Sequence, residues 1–351
     1  MRPLQIILIA LQAALAVEAV FWTLHRSCYR NKEDTGDDKK LENGIIKGIE
    51  NVKVWAEASA SKIDESLSKV PLKGIATRIA LEPLLGKTGK TGKDGYIYTA
   101  PGVRDKFKRF DDLEGPVGRE GGANSRYERS QAWERLATQI DHHYNFYVKD
   151  GVDEHNPLKV PYDSIRRNQY NRRHDFVVFL EQEGKFTDWN TMRGLKVKAA
   201  TMVDSADPPL GHRLHVAESI NLHPLFVKHH RDRDFRDWTK ERLDEVTSED
   251  APDSFKRLSD EKKIDLRPVD GLLDDSFTYT LLHEVAQFFH LTNFGRMSDD
   301  KENGAYGWVN NVNAKNRKNP DLYAIIGAVI NLLHNEGKKY RVSADGHVRA
   351  A

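Results

Sequence analysis

Residues 276–295 read SFTYTLLHEVAQFFHLTNFG. Large apolar side chains fall on nearly every side of a helix drawn through it, which predicts a buried helix. Asp274 and Asp275 are predicted as its N-cap and Gly295 as its C-terminal stop. The polar exceptions are His283, Glu284, Gln287 and His290. Because buried polar groups need partners, a metal, a water network or other side chains must satisfy this stripe.

The pair His283-Glu284 begins the H-E-x-x-H signature of zinc peptidases, but the second histidine position, 287, is Gln. In that signature two histidines one turn apart bind one zinc ion, and the Glu activates a zinc-bound water. Gln287 offers an amide oxygen, a poor zinc ligand beside imidazole. His290 lies about 10 Å from His283 along the helix axis. His283 is therefore either a zinc ligand or a core histidine satisfied by hydrogen bonds.

Further motifs follow this helix in a fixed order. Asp299 and Asp300 precede Tyr306, which is followed by Gly, and residues 319–324 read NPDLYA. The Asn of that run is a good N-cap and its Pro suits the first helical position. The run therefore predicts the start of a last helix.

This order resembles the fungal aspzincins, the group of deuterolysin and the lysine-specific metalloendopeptidases. The resemblance covers residues 43–337 in layout. It implies a zincin-like α+β metallopeptidase domain, helix-rich with a small mixed sheet, acting as a secreted zinc endopeptidase. It also implies a role for each matching residue. His283 matches the first zinc ligand, Glu284 the catalytic base, Tyr306 the oxyanion tyrosine, and Asp299 or Asp300 the third ligand.

The chain departs from the aspzincin pattern at two points. Gln287 replaces the second histidine ligand, and the disulfide cysteines are missing, since Cys28 is the single cysteine. Two hypotheses follow. The first is an endopeptidase in which Gln287 is a weak or water-bridged zinc ligand. The second, which the loss of one of three protein ligands favours, is a catalytically inactive pseudopeptidase that acts as an extracellular binding or effector-like protein.

The expected partner is a peptide or protein in the cleft. Residues 220–226, INLHPLF, resemble the edge strand that holds peptide substrate in the family, with His223 in place of a cysteine. An extended peptide adds to such an edge by main-chain pairing. The formal net charge of +1 produces no overall electrostatic attraction to nucleic acid or to an anionic membrane, so neither is an expected partner. The chain is expected to be a monomer.

The N-terminus predicts secretion. Residues 1–19 have the layout of a signal peptide, with cleavage after Ala19. Their apolar run is about a dozen residues, short of the ~20 that span a bilayer. Residues 20–42 are predicted as a linker or short pro-segment. The peptidase-like domain then occupies residues 43–337, and residues 338–351 are predicted as a disordered tail.

Periodicity predicts the remaining elements. Residues 45–67 and 75–85 have the apolar spacing of amphipathic helices, and residues 195–203 and 215–222 that of strands. Residues 228–268 are rich in charge and are predicted as a surface excursion.

The run GKTGKTGKDG at residues 86–95 invites comparison with a phosphate-binding loop. Its glycines fall every three residues, whereas the phosphate-loop motif needs them five apart. The run is therefore predicted as a flexible loop without nucleotide chemistry.

Overall fold

The computed structural model describes residues 20–21, 37–70, 72–90, 92–110, 113–114, 198–202, 219–222, 224–293, 306–334 and 339–351. The predicted signal peptide lies outside these ranges. None of the helices within them has both the length and the hydropathy needed to cross a bilayer.

Helices dominate the described residues. They are α1 (Asp37–Ser66), α2 (Ile75–Leu85), α3 (Tyr96–Phe110), α4 (Pro224–Arg231), α5 (Lys240–Thr247), α6 (Ala251–Lys262), α7 (Pro268–Asp274), α8 (Phe277–Asn293), α9 (Trp308–Ala314) and α10 (Pro320–His334). The strands are β1 (Val20–Phe21), β2 (Leu113–Glu114), β3 (Ala199–Met202), β4 (Ser219–Leu222), β5 (Tyr340–Val342) and β6 (Val348–Ala350).

The architecture is helix-rich α+β, as the sequence predicts. The strands differ from the predicted single mixed sheet, because in the described ranges they form three separate two-stranded pairs. β1 and β2 are parallel, whereas β3–β4 and β5–β6 are antiparallel. These short strands add little surface to the fold, so the helices supply most of the core.

Three helices, α1, α8 and α10, pack on one another at the centre. Gly327 of α10 marks their crossing, because a Cβ there would lie 2.6 Å from Leu282 Cδ2 of α8 and 3.4 Å from Trp55 Cε3 of α1. The missing side chain lets the backbones approach closely. Residues 320–330 of α10 are buried on every side, as expected for a central helix.

Helix α1 presents the predicted apolar stripe to this centre. The buried members are Ile45, Val52, Ala56, Ala60 and Ile63. The helix begins at Asp37, inside the predicted linker, and ends at Ser66. The sequence of the added first turns favours a helix, since it contains Lys, Leu and Glu. It begins with two aspartates, and acidic residues are favourable near the positive N-terminal end of a helix dipole.

The N-terminus of α8 is capped by residues other than the predicted Asp274 and Asp275. Asp274 is the last residue of α7, and Ser276 takes the cap position by accepting a 3.0 Å hydrogen bond from the N–H of residue 279. Asp237 completes the cap, since its carboxylate accepts from the Thr278 N–H at 2.8 Å and from the Thr278 hydroxyl at 2.7 Å. A distant carboxylate therefore caps this helix, which local sequence does not reveal.

The charge-rich segment 228–268 is not a surface excursion, and that prediction is wrong. Phe235, Val246 and Phe255 are buried. Arg242 lies with them and donates from Nε to the Gly271 carbonyl at 3.0 Å. The helices α5 and α6 are amphipathic, so their many charges lie on the outer face while one apolar face joins the core.

The C-terminal residues also differ from the predicted disordered tail. β5 and β6 form a hairpin whose inward Val342 and Val348 are buried. The hairpin turn is fastened to the domain, because Trp308 Nε1 donates to the Ala344 carbonyl at 3.0 Å and the Val269 N–H donates to the Gly346 carbonyl at 3.0 Å. Burial of two valines and these two bonds order the segment.

One histidine is enclosed by this core. His230 of α4 is fully buried, and neither ring nitrogen has a hydrogen-bond partner. Its ring lies 4.5 Å from Phe226 and 5.2 Å from Phe277 between centroids. Burial, and then the neighbouring His229, lower the pKa of His230 well below its usual 6.5. The native state therefore holds this ring neutral.

We predict that His230 makes the protein acid-sensitive. Below its usual pKa of 6.5 the unfolded chain binds a proton at this ring and the native state does not, so acid favours unfolding. Replacement His230→Phe should reduce the loss of unfolding free energy between about pH 7.5 and 5.5 by about 1 kcal/mol. Urea unfolding at both pH values measures this difference, and an unchanged loss in the variant would contradict it.

Candidate functional site

Helix α8 places His283 and Glu284 in the interior of the domain. Each is only 5% exposed. The helix itself is confirmed, since residues 277–293 are helical. Gln287, one turn beyond His283, is half-buried. The polar stripe predicted from the sequence therefore belongs to a buried helix, where each polar group needs a partner.

The centre of the polar contacts is Asp321 on α10, whose exposure is 0%. Its Oδ1 accepts a hydrogen bond from the Tyr279 hydroxyl of α8. Its Oδ2 accepts from the Gly307 N–H at 2.9 Å and from Asn311 Nδ2 at 2.7 Å. Burial, and then the negative charge of Asp321, raise the pKa of Tyr279 well above its usual value, so this phenol remains a donor.

His283 lies against the same carboxylate. Its Nδ1 is 3.5 Å from Asp321 Oδ1. A proton on Nδ1 would face this carboxylate. Carboxylates that orient histidine ligands in metal sites act on the far ring nitrogen in the same way. The contact places a buried carboxylate beside one nitrogen of the His283 ring.

Tyr306 covers one face of the His283 ring. The two rings stack with centroids 5.3 Å apart and an interplanar angle of 18°. Tyr306 is 54% exposed, whereas the imidazole beneath it is buried. The tyrosine therefore forms the boundary between the buried polar network and solvent, where an incoming ligand would meet it first.

A second buried carboxylate fixes the segment that carries Tyr306. Asp270 of α7 accepts from the Trp308 N–H at 2.8 Å and from the Arg267 N–H at 2.8 Å. Burial raises the pKa of Asp270 to about 7 despite these two bonds. Next to it, Gly307 adopts a φ of 86°, a conformation that favours glycine. The backbone after Tyr306 is thereby held by Asp270 and Asp321 together.

The start of α10 confirms the NPDLYA prediction. Asn319 caps the helix, since its Oδ1 accepts from the Asp321 N–H at 3.0 Å. Its Nδ2 donates to Asn311 Oδ1 at 2.9 Å. The N-cap residue is therefore also part of the network that holds Asp321.

The structure brings some of the predicted site residues together. His283 and Tyr306 are in contact, and Glu284 follows on the same helix. Asp299 and Asp300 lie outside the described residues. Within the described ranges, no group of three or more His, Cys, Asp or Glu side chains is arranged to hold a metal ion.

Sequence reasoning missed the role of Asp321 and its donor Tyr279. The available signal was the composition of α10, where an acidic residue is followed by an almost wholly apolar run. An acid in the first turn of a helix is common, because it interacts well with the helix dipole. The pattern therefore did not distinguish a buried hub from an ordinary first-turn aspartate.

Comparison of the chain with protein-family models, curated proteins and solved structures gives no match. The functional argument therefore depends on the motifs and on the geometry of this site.

We predict that Asp321→Asn lowers the free energy of unfolding by about 2–4 kcal/mol. The amide nitrogen would meet donors where the carboxylate now accepts, and buried donors would lose their partner. Asp345→Asn is the matched control, because Asp345 also lies beside a histidine, His347 (3.3 Å), but is exposed. Urea unfolding should show a change below about 0.5 kcal/mol for the control. Equal effects in the two variants would contradict a special role for Asp321.

Proposed function

We propose that this chain is a secreted, aspzincin-like protein on a zincin-like scaffold whose peptidase site has degenerated, and that it binds a peptide or protein ligand. One observation carries the proposal. His283 lies 3.5 Å from the buried Asp321 carboxylate, but Gln287 occupies the next turn, where the zinc signature requires histidine. This pairing of a carboxylate-supported histidine with Gln287 supports a metallopeptidase-like site from which a strong ligand is missing.

The buried H-E pair supports the peptidase-like part of the proposal. His283 has a buried carboxylate beside Nδ1 and an exposed tyrosine stacked over its ring, the two neighbours that the aspzincin pattern would use. In the aspzincin pattern Tyr306 corresponds to the tyrosine that stabilises the oxyanion. Its exposed position beside His283 supports this correspondence.

The fit to zinc is partial. His283 is a suitable ligand, Gln287 is a poor one, and the third would have to come from Asp299 or Asp300. Bound zinc would supply a water of lowered pKa, and Glu284 would be the base beside it. Because the described residues do not complete the usual set of three strong ligands, we expect weak zinc binding and no efficient peptide hydrolysis.

The sheet supports the binding part of the proposal. Of the stretch 220–226 that resembles the family's substrate-holding strand, residues 220–222 lie in β4, whereas residues 224–226 begin α4. β4 pairs with β3 in register from Met202–Ser219 to Ala199–Leu222. β3 in turn packs against α8, the helix of His283. A peptide that paired with the β4 edge would use main-chain hydrogen bonds and need no metal.

An active endopeptidase is the second candidate function. The Asp321–His283 contact favours it, because an oriented histidine is costly to maintain in a core that does not use it. In that case Gln287 would contact zinc directly or through a water. The two candidates differ in zinc content and in the effect of Glu284.

We predict that the wild-type chain, residues 20–351 purified without chelator, contains far less than one zinc per molecule. Gln287→His should bind zinc about tenfold or more tightly than wild type, since even groups that only support a ligand change affinity 10–100-fold. Asn313→His, at an exposed position of α9, is the matched control for nonspecific binding by an added histidine. Elemental analysis and zinc titration measure both variants.

Cleavage of an unstructured protein substrate provides the second readout. We expect no cleavage that distinguishes wild type from Glu284→Gln. About one zinc per wild-type chain, with cleavage abolished by Glu284→Gln, would replace the proposal with the active endopeptidase. Absence of zinc from Gln287→His would show that more than one ligand is missing.

A further inference from the structure

The start of α2 and the turn before it expose large aliphatic side chains to solvent. Of the nine large apolar side chains that are exposed in the described ranges, four lie within residues 70–79. Single exposed apolar residues are common on protein surfaces, but a cluster of them indicates a site of interaction. The four are called the apolar patch below, and they are Val70 (57% exposed), Leu72 (81%), Ile75 (45%) and Ile79 (64%).

Helix α2 is apolar on its outer side as well as on its inner side. Its buried residues are Thr77, Ala80, Leu81, Leu84 and Leu85. Ile75 and Ile79 are one turn apart and lie on the opposite side of the helix, which is the side that a surface helix normally fills with polar residues. The packing of α2 on the core therefore does not account for these two isoleucines.

The apolar patch has a fixed base. The Lys73 N–H donates to the Val70 carbonyl at 3.1 Å and closes the turn before α2. Gly74 follows with a φ of 69°, and a Cβ there would lie 2.4 Å from the Ser66 nitrogen, so glycine lets this turn pack on the end of α1. Arg78 Nε donates to the Ser66 carbonyl at 3.0 Å. Because the backbone is already held, binding through this surface costs little ordering of the chain.

Positive charge accompanies the apolar patch. Lys69 and Lys73 are exposed, and no acidic side chain of the described ranges forms an ion pair with either of them. The printed partner of the Arg78 guanidinium, the Ser66 carbonyl, is uncharged. Three cationic side chains therefore lie within residues 69–78, among the four aliphatic ones.

The acidic side chains of the neighbouring segments already have partners. Asp64 and Glu65, near the end of α1, each pair with another basic side chain, at 2.8 Å and 3.1 Å. Glu82, farther along α2, accepts from the Thr88 N–H at 2.9 Å. The surface around the apolar patch is therefore positive overall and suits a negatively charged partner.

We propose that the apolar patch inserts into the surface of an anionic lipid bilayer, with Lys69 and Lys73 beside the lipid phosphates. Aliphatic side chains are soluble in the acyl region just below the headgroups, and lysine places its ammonium group at the headgroup level while its methylene chain stays in apolar surroundings. The formal net charge of +1, from which no membrane partner is expected, describes the whole chain and not these ten residues.

Other partners fit this surface less well. Leu72 and Ile79 are the most exposed members of the apolar patch, so they protrude from the surface, and a protein partner would need a pocket for each. In a symmetric contact between two copies, the lysines of both would meet while the nearby carboxylates are already paired. The apolar patch has no aromatic ring on which nucleic-acid bases could stack.

The test compares two double variants in the chain 20–351, which lacks the apolar residues 6–17 that would bind lipid by themselves. The first variant, Leu72→Ser with Ile79→Ser, removes half of the apolar patch. The control, Val54→Ser with Ile264→Ser, removes two exposed aliphatic side chains elsewhere. All four positions are exposed, so both variants should fold, which circular dichroism checks. Ile97 and Tyr98, an exposed pair at the start of α3, remain unchanged in both.

The probes are vesicles of phosphatidylcholine mixed with phosphatidylserine, and vesicles of phosphatidylcholine alone, with binding measured by cosedimentation. Wild type should bind the mixed vesicles at about 0.1 M salt and the neutral ones at least about tenfold more weakly, because each of two lysines near an anionic surface contributes about fivefold. The patch variant should bind the mixed vesicles at least about tenfold more weakly than wild type, while the control changes less than about threefold.

Three outcomes with vesicles would overturn the proposal: no binding of the mixed vesicles by wild type, equal losses in the two variants, or equal binding of the two kinds of vesicle. A wild-type dimer in sedimentation velocity that the patch variant alone loses would also overturn it, since the apolar patch would then contact a second copy. The assay measures neither zinc nor cleavage, so its failure is distinct from failure of the proposed function.

Discussion

The burial of one carboxylate, that of Asp321, constrains the arrangement of the helices around it. A charge in a protein interior costs several kcal/mol unless hydrogen bonds and opposite dipoles replace water. Here the replacement comes from Tyr279 on α8, from Gly307 before α9, and from Asn311 within α9. A shift of α8 along α10 would break the bond from Tyr279. The carboxylate therefore fixes the position of α8 along α10. Apolar packing alone would specify that position less strictly.

The candidate site is a consequence of that position. Tyr279 and His283 are one turn apart on α8, so the bond that places the first also places the second against Asp321. Gly307 is bound to the same carboxylate and carries Tyr306 over the imidazole. The orientation of the histidine and the position of the tyrosine thus follow from the packing of the core.

The end of α3 is attached to the same central helix. The Tyr323 hydroxyl, two residues after Asp321, donates to the Arg317 carbonyl, and the Lys106 side chain of α3 lies over the Tyr323 ring. The first turn of α10 therefore supports both the buried polar network and the packing of α3.

Elements that depend on neighbouring side chains could be predicted from the sequence. Side chains within a few residues of one another explain four features. These are the apolar stripe of α1, the bounds of α2, the burial of α8 and the capping of α10 by Asn319. The sequence also identified His283, Glu284 and Tyr306 as the residues to consider. Tertiary structure alone decided the partners that are distant in the chain. Asp237 caps α8 from about forty residues away, and Asp321 reaches His283 across a helix pair. The charged segment 228–268 and the C-terminal hairpin belong to the core because a few of their apolar side chains are buried against other elements. Such contacts depend on which apolar faces pack against each other in the folded chain. The periodicity of a sequence shows only that a helix or strand has an apolar face, not what that face contacts.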